Sequence, residues 1–301
     1  MSLFVSGSIG IDTVETPLGR AADVLGGSSI YFSLAASLFT DVRLVGVVGD
    51  DFDMNMLAPL RQRRIDLRGI EVRAGSRTFR WAGRYQGAMN DAETVDVKIN
   101  VLAERGAPVP ADYLDSQFVF LANTHPALQL DFIRQLPRAK LRVCDTMNHW
   151  IAGQGAALRE TLRNVDGLVL NEGEARQLTD EMHLVRAGRA ILKLGPRFAV
   201  IKKGEHGSLL ISRDDLFVMP AYPTERVVDP TGCGDSFAGA MMGYLASIGR
   251  FDDAAIRSAM ARGSVVASFV LESFSVAALA AVTSEDVRHR LDALRAMMKF
   301  E

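Results

Sequence analysis

The sequence lacks the features that mark several large classes of protein. Its 301 residues include only two cysteines, Cys144 and Cys233, and neither has a neighbour at a metal-ligand or redox spacing. We expect both thiols to be reduced, as in a cytoplasmic protein. The longest uncharged stretch, residues 24–40, contains glycines and serines and is shorter than the ~20 apolar residues of a membrane-spanning helix. We therefore expect no membrane partner.

A surplus of basic charge is also missing. The chain has 34 lysine and arginine residues against 36 aspartate and glutamate residues, which gives a net charge of −2. Proteins that bind nucleic acid usually carry a basic surplus, so we expect no nucleic-acid partner. The short basic cluster at residues 61–64 is typical of the solvated end of a helix.

Several common catalytic motifs are absent as well. The sequence has no G-x-x-x-x-G-K-[ST] segment, which argues against an ATPase of that type, and no H-E-x-x-H zinc motif. His125, His149 and His206 are therefore expected to be pocket-wall or surface residues and not metal ligands. No dinucleotide-binding glycine fingerprint follows the first strand.

What the sequence does contain is a regular alternation of strands and helices. After residue 110, buried apolar strands are separated by helical patterns, which predicts a mainly parallel sheet with helices on both faces. The predicted strands cover residues 3–11, 41–49, 118–121, 141–144, 168–170 and 199–201, with a hairpin at 208–222. The predicted helices cover residues 30–38, 54–63, 156–163, 172–178, 184–194, 236–248, 252–271 and 285–300.

Residues 70–102 follow a different pattern. Apolar and polar residues alternate there with period two, and no helix intervenes. Together with residues 12–20, this stretch predicts a small antiparallel sheet beside the main body, placed as a lid.

The two faces of this predicted sheet differ in chemistry. Arg80 and Arg84 share one face, where they either grip a phosphate on the substrate or face solvent. Phe79, Trp81 and Tyr85 share the other face, where they either stack on a purine or pack against the main body or a partner lid.

The most informative segment is residues 227–240. It places Gly232, Cys233 and Gly234 directly before Asp235, and an apolar helix pattern follows. Glycine lets the backbone turn so that several peptide N–H groups point at one place, and the start of a helix adds its positive end. Such a turn binds a phosphate or another anion. Because a carboxylate repels an anion, Asp235 fits better as a base that takes a proton from a hydroxyl attacking the phosphate.

Polar residues follow the apolar strands along the whole chain. In an open parallel sheet, ligands bind outside the carboxyl ends of the strands, so we expect these residues to share one edge with the anion site. The residues are Asp12, Asn123, Thr124, His125, Asp145, Thr146, Met147, Asn148, Asn171, Glu172, Gly173, Glu174, Lys202, Lys203 and Gly204.

Two of these segments have competing interpretations. Asn171 and Glu174 lie three residues apart, on one face of a first helical turn, and suit a water-clad Mg²⁺ beside phosphates. The same spacing is a capping box, which needs no ligand. The glycines around Lys203 either approach a nucleotide closely or form a plain hairpin turn.

The chain resembles the ribokinase or pfkB carbohydrate kinase family in four motifs. The family's late signature, Asp-Thr-x-Gly-Ala-Gly-Asp, is similar to residues 229–235, and its early Gly-Gly signature to residues 26–27. Its Asn-x-x-Glu and Lys-x-Gly-x-x-Gly motifs are similar to residues 171–174 and 202–207. The resemblance extends from Leu3 to about Ser284. It implies a ribokinase-like three-layer α/β/α fold, a single kinase domain over residues 1–301, and ATP and Mg²⁺ as cofactors.

The resemblance also implies roles for individual residues. Those implied in catalysis are Asp235 as base and Gly232, Cys233 and Gly234 as N–H donors to the phosphoryl group. Those implied in acceptor binding are Asp12, Gly26, Gly27, Asn123 and Asp235. Those implied in binding ATP are Asn171, Glu174, Lys203, Gly204, Gly207, Gly232 and Gly234, with Asn171 and Glu174 also holding Mg²⁺. Asp229 and Thr231 resemble half of a K⁺ site. Cys233 replaces an alanine of the family signature, and Pro230 replaces a threonine.

We therefore expect an ATP-dependent sugar kinase, with a nucleoside kinase of the same fold as the alternative. A third hypothesis is a binding or regulatory protein that kept the fold and lost activity, against which the intact Asp235 and anion site count. Lid sheets of this family often pair between subunits, and an exposed sheet with an apolar face is rarely left uncovered. We expect a homodimer through residues 70–102.

Overall fold

The computed structural model describes residues 2–299, which form two sheets and a set of α-helices around them. The strands are β1 (Leu3–Ser6), β2 (Gly10–Thr16), β3 (Gly19–Gly26), β4 (Val42–Gly49), β5 (Ile65–Arg73), β6 (Phe79–Tyr85), β7 (Ala92–Lys98), β8 (Phe118–Leu121), β9 (Leu141–Asp145), β10 (Gly167–Asn171), β11 (Phe198–Lys202), β12 (Ser208–Ser212) and β13 (Leu216–Met219). The α-helices are α1 (Ser28–Ala36), α2 (Ala58–Arg61), α3 (Pro126–Gln135), α4 (Asn148–Gly153), α5 (Gly155–Leu162), α6 (Glu172–Thr179), α7 (Leu184–Leu192), α8 (Cys233–Ile248), α9 (Asp253–Val270), α10 (Ala277–Ala281) and α11 (Ser284–Met297). Short 3₁₀ helices lie at Met54–Leu57, Asn100–Ala103, Ala111–Tyr113 and Gly204–His206.

The large sheet has nine strands in the order β13-β12-β11-β10-β9-β8-β1-β4-β5. Within residues 2–299, β12 is the one strand of this sheet that runs against the others. Its central strands β1 and β8 are buried at every residue and, apart from Ser6, apolar, as is typical of strands covered on both faces. The predicted mainly parallel sheet is confirmed.

Helices cover both faces of the large sheet, which confirms the three-layer fold. In β8, Phe118 and Phe120 join the core beneath α1, α8, α9 and α11. Val119 and Leu121, which point the other way, join the core beneath α3, α5, α6 and α7. This alternation follows from the two-residue period of a strand.

Helices α1 and α8 pack with almost no side chain between them. A Cβ atom on Gly239 would lie 2.2 Å from the Phe32 carbonyl oxygen, and one on Gly243 would lie 2.7 Å from the Ala36 carbonyl oxygen. Only glycine allows this approach. The first turns of both helices, which carry the two glycine motifs, are therefore held at a fixed separation.

The second sheet, called the lid sheet below, consists of β3, β2, β6 and β7 in that order. Two antiparallel hairpins, β2–β3 and β6–β7, are joined by a parallel pairing of β2 with β6. The prediction for this sheet needs several corrections. Residues 10–11 belong to β2 and not to the first strand of the main body, β3 extends the sheet to Gly26, and the pairing of β2 with β6 is parallel in a sheet predicted to be antiparallel. Residues 70–73 belong to β5 of the large sheet, because Ile65–Arg73 pairs with Val42–Gly49 through hydrogen bonds that a local alternation cannot reveal.

The C-terminal helices also differ in detail from the prediction. The helix of the anion site begins at Cys233 and not at residue 236, so the glycine turn forms its first residues. The short helix α10 was not predicted. Helix α11 ends at Met297, and Phe300, the last residue of the predicted helix, lies outside the described residues.

Candidate active site

The predicted polar residues meet at the carboxyl edge of the large sheet. Asn123 follows β8, Asp145 ends β9, Asn171 ends β10 and Lys202 ends β11. The parallel register of these strands brings their carboxyl ends together. The start of α8 lies at the same place, since the Asp145 and Asp235 carboxyls are close enough to affect each other's ionisation.

The glycine turn at the start of α8 has the geometry of an anion site. Gly232 caps the helix with φ 80° and ψ 0°, which favours glycine, and the ring of Tyr31 lies within 2.3 Å of where its Cβ would be. The Cys233 N–H donates to the Pro230 carbonyl at 3.1 Å. Among the described residues, the N–H groups of Gly232 and Gly234 have no such acceptor. Two of the three predicted donors are therefore free, and the third is already bonded.

The side chains flanking the turn point away from it. The Cys233 thiol contacts the Ala267 carbonyl oxygen of α9 at 3.5 Å, so the exchange of alanine for cysteine leaves the turn open. The buried Asp229 carboxylate accepts the Thr231 N–H at 2.9 Å and the Ser275 N–H at 3.2 Å. Asp229 thus ties the turn to the loop that follows α9.

Asp235 has the properties of a general base. Burial raises the pKa of its carboxyl to about 7; the Lys202 ammonium opposes this shift and the Glu174 carboxylate reinforces it. A base works best when its pKa lies near the operating pH. Asp235 lies in the first turn of α8, two residues beyond the bonded N–H of Cys233.

Asp12 and the Gly26–Gly27 pair form a second polar pocket. A Cβ atom on Gly26 would lie 1.9 Å from Asp12 Oδ2, so the carboxylate rests directly on the glycine backbone. Asp12 is 4% exposed, and its Oδ1 has no hydrogen-bond partner within residues 2–299. Burial, together with Asp229 and Asp235, raises its pKa to about 7. A buried carboxylate oxygen without a partner is suited to a hydroxyl group of a ligand.

Asn123 is held by an aromatic cluster beside this pocket. The Trp150 indole N–H donates to Asn123 Oδ1 at 2.8 Å, and the rings of His125 and His149 meet the Trp150 ring edge-on. The Asn123 carbonyl accepts the hydroxyl of Ser28, the residue after Gly27, at 3.4 Å. His149 is exposed and His125 is half-buried, so both rings lie at the surface beside Asn123. The role of Trp150 was missed, because an isolated tryptophan has no motif.

Asn171 and Glu174 form the capping box that was the alternative interpretation. Asn171 Oδ1 accepts the Glu174 N–H at 2.7 Å, and Glu174 Oε2 accepts the Asn171 N–H at 2.7 Å. The cap leaves Glu174 Oε1 available. Burial raises the pKa of Glu174, and Lys202 opposes that rise.

Asp145 joins this group, although no motif singled it out. It is fully buried, its Oδ1 has no partner in the described chain, and burial raises its pKa well above the usual range. Among residues 2–299, no three His, Cys, Asp or Glu side chains form a ready metal cage. Mg²⁺ does not need one, because it binds through one or two carboxylates, waters and phosphates. The free oxygens of Asp145 and Glu174 fit that requirement.

The loop after β11 contacts the lid sheet. It is a hairpin connection closed by a 2.7 Å hydrogen bond from the Lys203 N–H to the Gly207 carbonyl. Asn90, in the turn between β6 and β7, lies so close to Gly204 that a Cβ there would be 2.4 Å from its Oδ1. Asn90 also donates to Glu205 Oε1 at 2.8 Å and accepts the Glu205 N–H at 3.3 Å. The predicted nucleotide loop is therefore joined to the lid sheet by these two hydrogen bonds.

The lid sheet also meets the anion site directly. Thr231 Oγ1 lies 3.3 Å from the hydroxyl of Tyr85, which is buried against the main body. Trp81 lies flat over Gly83 within the sheet. On the opposite face, Arg80 pairs with Asp23 at 2.6 Å and Arg84 with Glu15 at 3.3 Å. Both arginines are thus engaged by carboxylates of the sheet itself.

A comparison with family models identifies the chain. The model described as the pfkB family carbohydrate kinase matches residues 26–282. The chain belongs to the pfkB family of carbohydrate kinases. The family match includes the Gly26–Gly27 pair and all residues of the anion site, whereas Asp12 lies before its first residue. The protein is accordingly a phosphotransferase of the ribokinase fold.

Individual members of the pfkB family are similar to most of the chain. A cytidine kinase of Thermococcus kodakarensis is 30% identical over 256 residues, which cover 83% of this chain and 89% of that protein. A nucleoside kinase of Methanothermobacter thermautotrophicus is 28% identical over 282 residues, covering 86% and 82%. An E. coli protein provisionally named ribokinase II, solved with ATP and Mg²⁺, matches the fold with a TM-score of 0.76 at 19% identity, covering 97% of this chain and 99% of that one.

Over residues 2–299, no helix combines the length and apolar character that crossing a membrane demands.

Proposed function

We propose that the protein is a nucleoside kinase that transfers the γ-phosphoryl group of ATP to a hydroxyl of the ribose. The main support for a nucleoside is the likeness to a cytidine kinase and a nucleoside kinase over more than four-fifths of the chain. The expected sugar kinase becomes the second candidate. It is favoured by the family's general description and by Asp12, since a carboxylate suits any polyol.

The residues at the sheet edge support a direct transfer. Asp235 takes the proton of the acceptor hydroxyl as the hydroxyl oxygen attacks the γ-phosphorus, and ADP leaves with the electrons of the broken P–O bond. The free N–H groups of Gly232 and Gly234 bind the charge that develops on the phosphoryl oxygens. Asp12 and the backbone of Gly26–Gly27 hold the other hydroxyls of the acceptor in place.

Mg²⁺ bound with ATP would neutralise phosphate charge at this site. Asp145 and Glu174 are the side chains with free carboxylate oxygens to hold it, through water or directly. Asn171 would act through the cap, by orienting Glu174. Lys203, Gly204 and Gly207 would line the nucleotide.

The aromatic cluster around Asn123 supports the choice of a nucleoside over a free sugar. It lies next to Ser28, and hence next to the pocket in which Asp12 would hold the ribose. His125 and His149, whose rings pack edge-on against the buried Trp150, offer ring surface beside this pocket. A base attached to the ribose would find stacking partners there, whereas a free sugar would not.

The test is ATP turnover with a panel of cytidine, uridine, adenosine, inosine, ribose and fructose. We expect kcat/KM for the best nucleoside to exceed that for ribose about tenfold or more, since an aromatic contact contributes about 0.5–1.5 kcal/mol beyond the area that it buries. A preference for ribose or fructose would establish the sugar kinase instead. Tight ligand binding without any turnover would support the third hypothesis, a protein that has lost activity.

We also propose that the protein forms a homodimer through the lid sheet. All seven residues of the edge strand β7 are exposed, and Val97 pairs with Trp81 and shares its face of the sheet. Light scattering at micromolar concentration should give twice the chain mass, and Val97→Glu should halve it. A wild-type monomer would contradict this proposal.

A further inference from the structure

The Lys202 side chain lies at the anion site, although the family motif that begins with this residue assigns it no role there. Lys202 is the last residue of β11, and a Cβ atom on Gly234 would lie 2.7 Å from its Nζ. The ammonium therefore rests against the peptide of Gly234, one of the two glycines with a free N–H. A larger residue at position 234 would push the ammonium aside.

Lys202 has no close partner of its own. In the part of the chain that the structure describes, Nζ forms no hydrogen bond and no ion pair within 4.0 Å. Three buried acids, Asp145, Glu174 and Asp235, lie near enough for Lys202 to lower their pKa values, but none is in contact with it. A half-buried ammonium that stays unpaired among carboxylates is positioned for a negative group that the protein itself does not supply.

The charges at this edge explain why such a cation is needed. Phosphoryl transfer spreads negative charge over three equatorial oxygens, and catalysis consists largely of positioning and electrostatic stabilisation. Peptide N–H groups supply dipoles but no net charge. Three carboxylates within the same site repel an incoming phosphate, and Lys202 is the cation nearest to the free N–H groups.

We propose that Lys202 is a catalytic residue whose ammonium binds an oxygen of the phosphoryl group during transfer, alongside the Gly234 N–H. This inference rests on the proposed kinase function. Lys202 remains protonated throughout, and the hydroxyl proton goes to Asp235. The ammonium contributes hydrogen bonds and a positive charge but transfers no proton. The alternative role is that of a structural counter-ion, which only reduces the electrostatic repulsion among the three carboxylates in the folded protein.

The two roles predict different kinetics for Lys202→Met, which keeps the length of the side chain without its charge. As a catalytic cation, its loss should lower kcat about 10²- to 10³-fold, the usual cost of one oxyanion donor. The KM for the acceptor should stay within threefold, since Lys202 does not touch that pocket. Lys202→Arg, which keeps the charge, should recover at least a tenth of the wild-type kcat. Lys193→Met, an exposed lysine after α7 at the opposite end of the strands, serves as control and should match the wild type.

A binding measurement separates failure of this inference from failure of the proposed function. Calorimetry compares ADP with ADP plus Mg²⁺ and aluminium fluoride, a mimic of the phosphoryl group in transfer. Wild-type protein should bind the mimic more tightly than ADP, and Lys202→Met should lose that gain while binding ADP normally. Lys202→Gln repeats the test with a second neutral side chain.

Two results would overturn the inference: a kcat for both neutral variants within threefold of wild type, or an unchanged gain in affinity for the mimic. In contrast, a wild-type protein that turns over no acceptor at all would overturn the proposed function.

Discussion

The two glycine turns of this protein look alike in sequence and differ in what surrounds them. Gly26–Gly27 precedes α1 and Gly232–Gly234 opens α8, and both turns lie at the same edge of the molecule. At the first turn, the carboxylate of Asp12 from β2 covers the glycine backbone. At the second, the N–H groups stay open, and the acid, Asp235, belongs to the helix itself. The first turn is therefore suited to hydroxyl groups and the second to a phosphoryl group.

The largest expected effect comes from Asp235→Asn, which removes the base but leaves the open turn. Turnover should fall at least a hundredfold, within the ~10²–10⁴ range of general-base catalysis, while ATP still binds. Steady-state kinetics and calorimetry with ATP measure the two quantities. Asp131→Asn, on the exposed surface of α3, is the control. Near-normal turnover of Asp235→Asn on the preferred acceptor would remove Asp235 from this role.

The next effect concerns the backbone of the second turn. Gly232→Ala should lower kcat about thirtyfold or more, because the new methyl group would collide with the Tyr31 ring and shift a donor that is worth about 10²–10³ in rate. Gly75→Ala is a matched control, since Gly75 has a similar φ of 75° but no atom within 4 Å of the added methyl group. Equal losses in the two variants would attribute the effect to backbone strain alone.

The corresponding change at the first turn should act on binding instead. Asp12→Asn should raise the acceptor KM about thirtyfold or more and change kcat less, because truncating one partner of a buried charged hydrogen bond costs about 2–5 kcal/mol. Initial rates at varied acceptor concentration measure both constants. If Asp12→Asn lowered kcat as much as Asp235→Asn does, the proposal that the first turn acts in acceptor binding and the second in phosphoryl transfer would be wrong.

The pKa values near 7 predict a pH dependence. Only the ionised Asp235 accepts a proton, so kcat/KM should decline about tenfold for each pH unit below 7. A profile measured from pH 5 to 9 tests this. A rate that stays flat down to pH 5 would contradict the raised pKa.

The same shift predicts a change in stability. The folded protein keeps the Asp235 proton up to about pH 7, whereas the unfolded chain releases it near 3.8. Between these values the folded state binds more protons, so its stability falls as the pH rises through this window. The Asp235→Asn variant has no carboxyl to ionise and so does not lose this stability. Its melting temperature should lie several degrees above that of the wild type at pH 8, and the difference should be smaller at pH 5. Calorimetric melting at both pH values measures the difference.

The smallest effect is expected for potassium. The predicted site at Asp229 and Thr231 has its carboxylate already bonded to two peptide N–H groups. Replacing potassium chloride with choline chloride should therefore change kcat/KM less than about threefold, since a satisfied carboxylate gains little from a further partner. A tenfold activation by potassium would contradict this prediction and would show that the cation binds although the Asp229 carboxylate already accepts two N–H groups.

The contrast between the two turns also shows how far the sequence leads. The residues before α8 are adjacent in the chain, so their glycines, acid and helix start predict an anion site locally. The strand ends predict that Asp145 and Lys202 share this edge, but spacing along the chain does not reveal how close their side chains come to the start of α8. The Asn171–Glu174 pair is intermediate: one spacing serves both a cap and a metal, and only the hydrogen bonds of the structure show that the cap is formed. Residues 70–73 were placed in the wrong sheet for the same reason, because strand pairing is not local.

The contact of Gly239 and Gly243 with the carbonyl groups of α1 has a consequence for how this scaffold can change. At these two positions the glycines face the carbonyl groups of α1 directly, so no side chain there can be shortened to bring the two turns closer. An alanine at either position would act as a wedge, spoiling the alignment of donor and acceptor without altering any group that takes part in the reaction. New acceptors must therefore be accommodated at the rim, around Asn123 and the lid sheet, while the span between the turns stays constant.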